Sequence, residues 1–308
     1  MSDGLSSLQR EILAGLTAGT VTTIATHPLD LIKLRLQLLA TTNSSLGYAE
    51  VIRTIVGDSK KHNNVIREAY RGLGVNLLGN SLAWGLYFGL YRYSKDLVFK
   101  LWIDNNAQEH NAFQNDSRMG PLLYLTSAAL SGVTTAVLTN PLWVVKTRLM
   151  STSAYAQRRY KSTWDGIVKI YEKEGYQGFW RGLTPSLFGV AQGAIYFAAY
   201  DSLKHRYFAR KGIRKEEKLG NAENIGLTSV SKMVSVTAVY PLQLLKSNLQ
   251  SFDAIENRKT YKLWTLVQSI YGKDGIRGLY KGLSANLLRA IPSTCITFCI
   301  YENLRHWL

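Results

Sequence analysis

Two sets of residues in this 308-residue chain have the type and spacing for ion chemistry. The first is a triplicated octet: Pro28-Leu29-Asp30-Leu31-Ile32-Lys33-Leu34-Arg35, Pro141-Leu142-Trp143-Val144-Val145-Lys146-Thr147-Arg148 and Pro241-Leu242-Gln243-Leu244-Leu245-Lys246-Ser247-Asn248. Each copy sets a helix-kinking proline ahead of a lysine in an otherwise apolar run. Residues three apart share a helix face, so Asp30 and Lys33 can each reach a neighbouring copy. The second set is Lys232 and Arg289, each alone in a long stretch without other charges. A guanidinium in such a stretch needs water, a ligand or a partner, and its planar fork suits phosphate; an ion pair with another helix is the other reading. The depth and facing of Lys232 are not fixed by the sequence, and it is left out of the expected site. The chemistry on offer is therefore ion pairing and anion binding. No nucleophile–base pair, P-loop or dinucleotide fingerprint stands out, so no enzyme is expected. Cys295 and Cys299 lie one turn apart with no further ligand nearby, which points to helix packing and to no metal site.

The elements that carry these residues recur in order. The three prolines are 113 and 100 residues apart. Behind them Glu174-Gly175, four residues and Trp180-Arg181-Gly182 match Asp274-Gly275, four residues and Tyr280-Lys281-Gly282, while the first copy keeps Tyr70-Arg71-Gly72 but has Asn64-Val65 in place of the acid and glycine. A third element follows at Tyr91, Tyr200 and Tyr301. The chain thus reads as three repeats, approximately 8–100, 118–210 and 222–308. Residues 119–145, 12–29, 72–91 and 182–200 hold no Asp, Glu, Lys or Arg, and 224–245 and 282–301 are broken only by Lys232 and Arg289. These are six candidate spans for a hydrocarbon core of about 30 Å, two per repeat. Small residues such as Gly15, Gly19, Gly189 and Gly193 are expected to let the spans pack closely. A mean hydropathy of −0.07 then reflects charged loops and a polar interior. A soluble helical-repeat scaffold is the competing class.

The formal net charge of +16 fits basic loops beside anionic lipid or a vestibule for an anionic substrate. No basic helix or RNA-binding motif supports a nucleic-acid partner. The first residues are neither a secretory signal nor an Arg-rich transit peptide, so internal targeting is expected.

Three copies of P-x-[DE]-x-x-[KR]-x-[KR], each followed by the acidic-glycine and aromatic-basic-glycine pattern, resemble the mitochondrial carrier family over essentially the whole chain. The resemblance implies an all-α membrane protein: six transmembrane helices in three repeats, pseudo-threefold symmetry, short matrix helices, and one carrier domain over 1–308. It implies alternating access across the mitochondrial inner membrane, with no prosthetic group and a transport path through a monomer. Carried over, the matrix gate comprises Asp30, Lys33, Trp143, Lys146, Gln243 and Lys246, braced by Gln37 and Gln250 but not by Met150. Asp30 would pair with Lys146, Trp143 would face Lys246, and Gln243 would face Lys33, so one link of three is ionic. On the cytoplasmic side Asp201 would pair with Arg305 and Glu302 with Lys95, while Lys204 would meet Arg92 repulsively. Gly72, Gly182 and Gly282 begin the even helices, where free N–H groups suit anions; the resemblance implies cardiolipin there, the other reading being plain loop-to-helix turns.

Substrate contacts in the family lie on the even helices, which here gives Gly79-Asn80, Gly189-Val190 and Arg289. Trp84 and Tyr87 offer flat faces for a heteroaromatic ring, or simply pack. The Gly189-Val190 pair resembles carriers of nucleotide-like substrates, where it accommodates adenine, and Pro-x-Trp at Trp143 resembles the branch carrying NAD, folate, flavin and pyrimidine nucleotides. Residues 240–252, 292–298 and 83–91 look like flavin-nucleotide carriers of fungi. The expected cargo is FAD, an anionic nucleotide-like substrate, with Arg289 on the pyrophosphate; NAD, folate or a pyrimidine nucleotide is the alternative.

Overall fold

A computed structural model describes residues 7–42, 48–60, 65–102, 120–152, 160, 162–211, 220–251 and 262–307, and every element among them is helical. The first repeat has α1 (Ser7–Thr42), the short α2 (Tyr48–Lys60) and α3 (Val65–Ala69), then α4 (Leu73–Trp102). The second has α5 (Pro121–Ser151), α6 (Thr163–Glu174), a 3-10 turn (Tyr176–Trp180) and an even helix broken into α7 (Leu183–Gly189) and α8 (Ala191–Lys211). The third has α9 (Asn221–Gln250), α10 (Leu263–Leu279) and α11 (Leu283–Trp307).

Pro28, Pro141 and Pro241 sit inside α1, α5 and α9. Each removes a backbone donor and crowds the carbonyl one turn back, which bends the helix. Beyond the bends the three helices pack against one another pairwise, and α4 lies along α5, α7 and α8 along α9, and α11 along α1. Each even helix therefore leans on the next repeat's odd helix, and the ring closes on itself. The turns into α4, α7 and α11 use Gly72, Gly182 and Gly282 at φ +80°, +70° and +83°, a left-handed backbone that favours glycine. A Cβ at these positions would also lie 3.1 Å from Met150 Cγ, 2.9 Å from Gln250 Cγ and 2.9 Å from the Tyr240 hydroxyl respectively.

Polarity is inverted relative to a water-soluble core. Leu16, Leu82, Phe88, Leu125, Phe197 and Leu288 point outward, while Thr26, Ser127, Ser131, Ser231 and Ser235 are buried. In hydrocarbon this is the stable arrangement, since the helices satisfy their own backbones and small polar residues let them approach. By length and composition two of the described helices can cross a membrane, Leu122–Ser151 and Glu223–Gln250. The other four expected spans are more polar because they carry groups that the fold turns inward, such as Asn76, Gln192 and Arg289. The glycines expected to mediate close packing do not: a Cβ on Gly15, Gly19, Gly189 or Gly193 would meet nothing within 4 Å. Closest approach falls instead at Gly132 of α5, where a Cβ would lie 2.8 Å from Val190 Cγ1. Val190 stands at the break between α7 and α8, so the absent side chain makes room for that break.

Candidate functional site

Above the point where α1, α5 and α9 converge lies a cavity of about 570 Å³. Among the described residues its charged lining is Asp30, Lys33, Lys146, Lys232, Lys246 and Arg289, one carboxylate against five cations. Walled by helices, such a surplus focuses a positive potential into the cavity. Lys232, which sequence reasoning left out, belongs to this set; its Nζ lies 6.0 Å from the Tyr196 ring centroid. Gly189 and Val190 also line the cavity.

The ion pair runs differently from the expectation. Asp30 Oδ1 lies 3.0 Å from Arg289 Nε, joining α1 to its ring neighbour α11 rather than reaching Lys146 on α5. The geometry is that of an ion pair without a hydrogen bond, because Arg289 Nε lacks an aligned acceptor. Lys33 shares the field of Arg289, Asp30, Lys146 and Lys246. Trp143 does face Lys246: the Lys146 and Lys246 ammonium groups lie 5.0 and 5.9 Å from its ring centroid, which is cation–π range. Gln243, expected to face Lys33, lines the same cavity as that lysine. The Gln243 side chain is taken up by two other amides, Gln192 and Asn286.

Beneath the cavity a polar layer repeats in threes. Each residue preceding a kink proline docks on the backbone of its own repeat's aromatic-basic-glycine turn. His27 Nε2 donates to the Arg71 carbonyl at 3.0 Å, Asn140 Nδ2 to the Arg181 carbonyl at 3.3 Å and the adjoining Phe179 carbonyl at 2.7 Å, and the Tyr240 hydroxyl to the Lys281 carbonyl at 2.7 Å. Because Nε2 is the donor, His27 Nδ1 accepts from Asn76 Nδ2 at 3.3 Å, which fixes the tautomer. Gln37 and Gln250 cross between repeats onto these groups. Gln37 Nε2 donates to the Tyr240 hydroxyl at 3.3 Å, and Gln250 Nε2 to Asn140 Oδ1 and the Arg181 carbonyl, each at 3.3 Å.

Met150 occupies the third such place, packed on Gly72 as Gln250 packs on Gly182, but it has no polar group to offer. At this seam Arg71 crosses instead, donating to the Leu149 carbonyl at 2.6 Å, the Tyr160 carbonyl at 2.9 Å and Thr152 Oγ1 at 3.2 Å. Installing the missing amide with Met150→Gln is expected to add about 1 kcal/mol of hydrogen bonding. Thermal unfolding of the detergent-solubilised protein should then show a midpoint raised by about 2–4 °C; an unchanged or lower midpoint would count against this account of the seam.

The trailing bases of the first two octets clamp the short helices of their repeats. Arg35 pairs with Glu68, so Glu68 fills the acidic role that Asn64-Val65 seemed to lack. Arg148, fully buried, grips Glu174 with two hydrogen bonds of 2.6 and 2.9 Å, and Arg181 reaches the same carboxylate at 2.7 Å. In the third repeat Asn248 replaces the arginine and donates to the Gln37 and Leu244 carbonyls. Removing one partner of a buried pair strands the other charge. Arg148→Ala is therefore expected to lose about 3 kcal/mol of stability, measured as a lowered thermal midpoint, with Arg148→Lys recovering only part because an ammonium cannot make the two-pronged contact.

Several expected site residues fall elsewhere. Gly79 lies against the Trp143 indole, 3.6 Å from where its Cβ would be, and so does not line the cavity. Asn80 donates to Asn76 Oδ1 at 3.3 Å. Trp84 is exposed and stacks on Phe88, with the half-buried Tyr87 edge-on to it. At the other end of the helices, Lys95 lies 5.1 Å from the Tyr124 ring and Lys204 5.6 Å from the Phe208 ring, while Asp201 is exposed. The side chains of Glu302 and Arg305 lie outside the described residues, and with them the two cytoplasmic pairs.

A family model described as mitochondrial carrier protein matches residues 5–101, 117–211 and 217–308. The chain belongs to the mitochondrial carrier family. It is 52% identical over 305 residues to the mitochondrial FAD carrier protein of Saccharomyces cerevisiae, covering 98% of this chain and 97% of that one. It is 32% identical to the mitochondrial nicotinamide adenine dinucleotide transporter 1 of the same yeast, covering 99% and 78%. It is 31% identical to the chloroplastic folate transporter 1 of Arabidopsis thaliana, covering 94% and 92%. Family membership and these relatives identify the chain as a transporter of a mitochondrial membrane.

Proposed function

We propose that this carrier moves FAD across the mitochondrial inner membrane, alternating between cytoplasm-open and matrix-open states as a multi-pass protein. One observation carries the reading: among the described residues, five cationic side chains and one carboxylate make up the charged lining of the cavity. A pyrophosphate linking two ring systems supplies the negative charge such a cavity calls for, with Arg289 as its planar ligand and the Gly189-Val190 break as the place for adenine. The 52% identity to a protein named as an FAD carrier supports the flavin assignment. Carriers named for NAD and folate stand at 32% and 31%, and those cargoes, or a pyrimidine nucleotide, are the second reading. The three repeats, about 8–100, 118–210 and 222–308, act as one transport unit over 1–308, functional as a monomer. In this reading Asp30, Lys33, Trp143, Lys146, Gln243 and Lys246, with Gln37 and Gln250, form the matrix-side gate, and Lys95, Asp201, Lys204, Glu302 and Arg305 the opposite one. Anionic headgroups of cardiolipin sit at Gly72, Gly182 and Gly282.

Uptake into proteoliposomes loaded with FAD, FMN, NAD, folate or UTP tests the cargo directly. Brisk FAD uptake with weak NAD exchange is the expected result. Brisk NAD exchange with no FAD uptake would overturn the flavin assignment and leave the fold intact.

A further inference from the structure

Gln243 holds the position that Asp30 holds in the first repeat, yet its partners are amides. Its Nε2 donates to Gln192 Oε1 at 3.1 Å, and its Oε1 accepts from Asn286 Nδ2 at 3.2 Å. The three side chains come from α8, α9 and α11, and all three line the cavity. The chain they form has a direction. Among the described residues, the Gln192 amide group keeps its two donors at one end, and Asn286 Oδ1 keeps its acceptor at the other.

Phosphate has no need of this wall, since Lys33, Lys146, Lys232, Lys246 and Arg289 offer full charges in the same cavity. Neutral donors at one end of this chain and a neutral acceptor at the other match a neutral ring edge that carries both C=O and N–H. Val236 and Leu242 line the cavity as well and give a flat ring an apolar surface to lie on. The cavity is thus divided in function: cations for the linker, amides for a ring. We infer that Gln192, Gln243 and Asn286 form a subsite for the imide or lactam edge of a heterocycle carried by the anionic substrate, with Gln192 as a specificity-determining residue. The inference rests on the proposed cargo, because the pyrimidine portion of a flavin presents such an edge and ADP does not.

A site built to hydrogen-bond a polar edge discriminates strongly against an analogue that lacks it. A chain that merely braced three helices would treat all cargoes alike. The test compares wild type, Gln192→Leu and the milder Gln192→Asn in two assays. The first is FAD uptake into proteoliposomes, competed by unlabelled FAD, ADP or FAD methylated at the flavin imide nitrogen. The second is ligand-induced thermal stabilisation of the purified protein, which reads binding without transport. Wild type should prefer FAD over its methylated form about tenfold. Gln192→Leu, which removes the donors to the ring carbonyl, should weaken FAD about tenfold with ADP changed less than twofold, the N–H preference itself resting on Asn286 Oδ1. Equal weakening of FAD and ADP, or no change in either, overturns the subsite, whichever variant folds better. If wild type binds or carries no FAD, the cargo reading fails instead, and that outcome is visible before any variant is made.

Discussion

Arg289→Ala is expected to reduce FAD uptake about a hundredfold while the protein still folds. The size follows from what the guanidinium does at the cavity. Hydrogen bonds to a charged group are worth about 1.5–3 kcal/mol each, and a forked pair on a pyrophosphate is worth about 3 kcal/mol, or two orders of magnitude in affinity. The substitution also strands Asp30, whose carboxylate lies 3.0 Å from Arg289 Nε. Lys33 and Lys146 remain within its field, so the stranded charge is compensated and unfolding is not the expected outcome. Arg289→Lys keeps the charge but not the fork, and should recover only part of the loss. Uptake rates alongside thermal midpoints separate the two effects: normal uptake by Arg289→Ala would remove this residue from the site.

The second large effect is of opposite sign at the level of binding. Asp30 and an incoming phosphate compete for the same guanidinium, since Arg289 cannot face both fully. Asp30→Asn removes the competitor and leaves five cations in the cavity with no carboxylate among the described lining. The apparent affinity for FAD should rise about tenfold, the equivalent of about 1.4 kcal/mol. Maximal rate should fall, because a ground state bound more tightly without equal gain at the transition raises the barrier that follows. Initial rates across FAD concentrations resolve this as a lower KM with a lower maximal rate. An unchanged KM would mean that Asp30 and cargo do not share Arg289.

Much of this was legible in the sequence because it was written in backbone terms. Proline kinks, glycine turns and uncharged stretches depend on local chemistry, and the octets at Pro28, Pro141 and Pro241 marked the repeats before any coordinates. Arg289, Gly189 and Val190, expected as substrate contacts from the family resemblance, line the cavity, and Lys33, Lys146 and Lys246, expected at the gate, line it too. The failures concern which side chain meets which. Asp30 meets Arg289 because α11 closes the ring against α1, a tertiary fact that no spacing within one repeat contains. Gly79 was counted along its helix correctly, but the bulk of Trp143 from the next repeat covers it. Glu68 was overlooked because it is four residues out of phase with the acid it replaces, and only the reach of Arg35 identifies it. The Gln192–Gln243–Asn286 chain joins residues 51 and 43 positions apart, each unremarkable alone.

The docking of His27, Asn140 and Tyr240 bears on how such chains are compared. Stacked in register, the three repeats show at that column an imidazole, an amide and a phenol, which an identity score records as noise. The constraint is nevertheless strict, because each must offer a donor to a backbone carbonyl, and a carbonyl does not register which side chain supplies the proton. The column carries information about function in its hydrogen-bonding capacity and almost none in its amino-acid name. Exchanges within that trio are therefore the tolerated ones, and an aliphatic residue of equal volume is not.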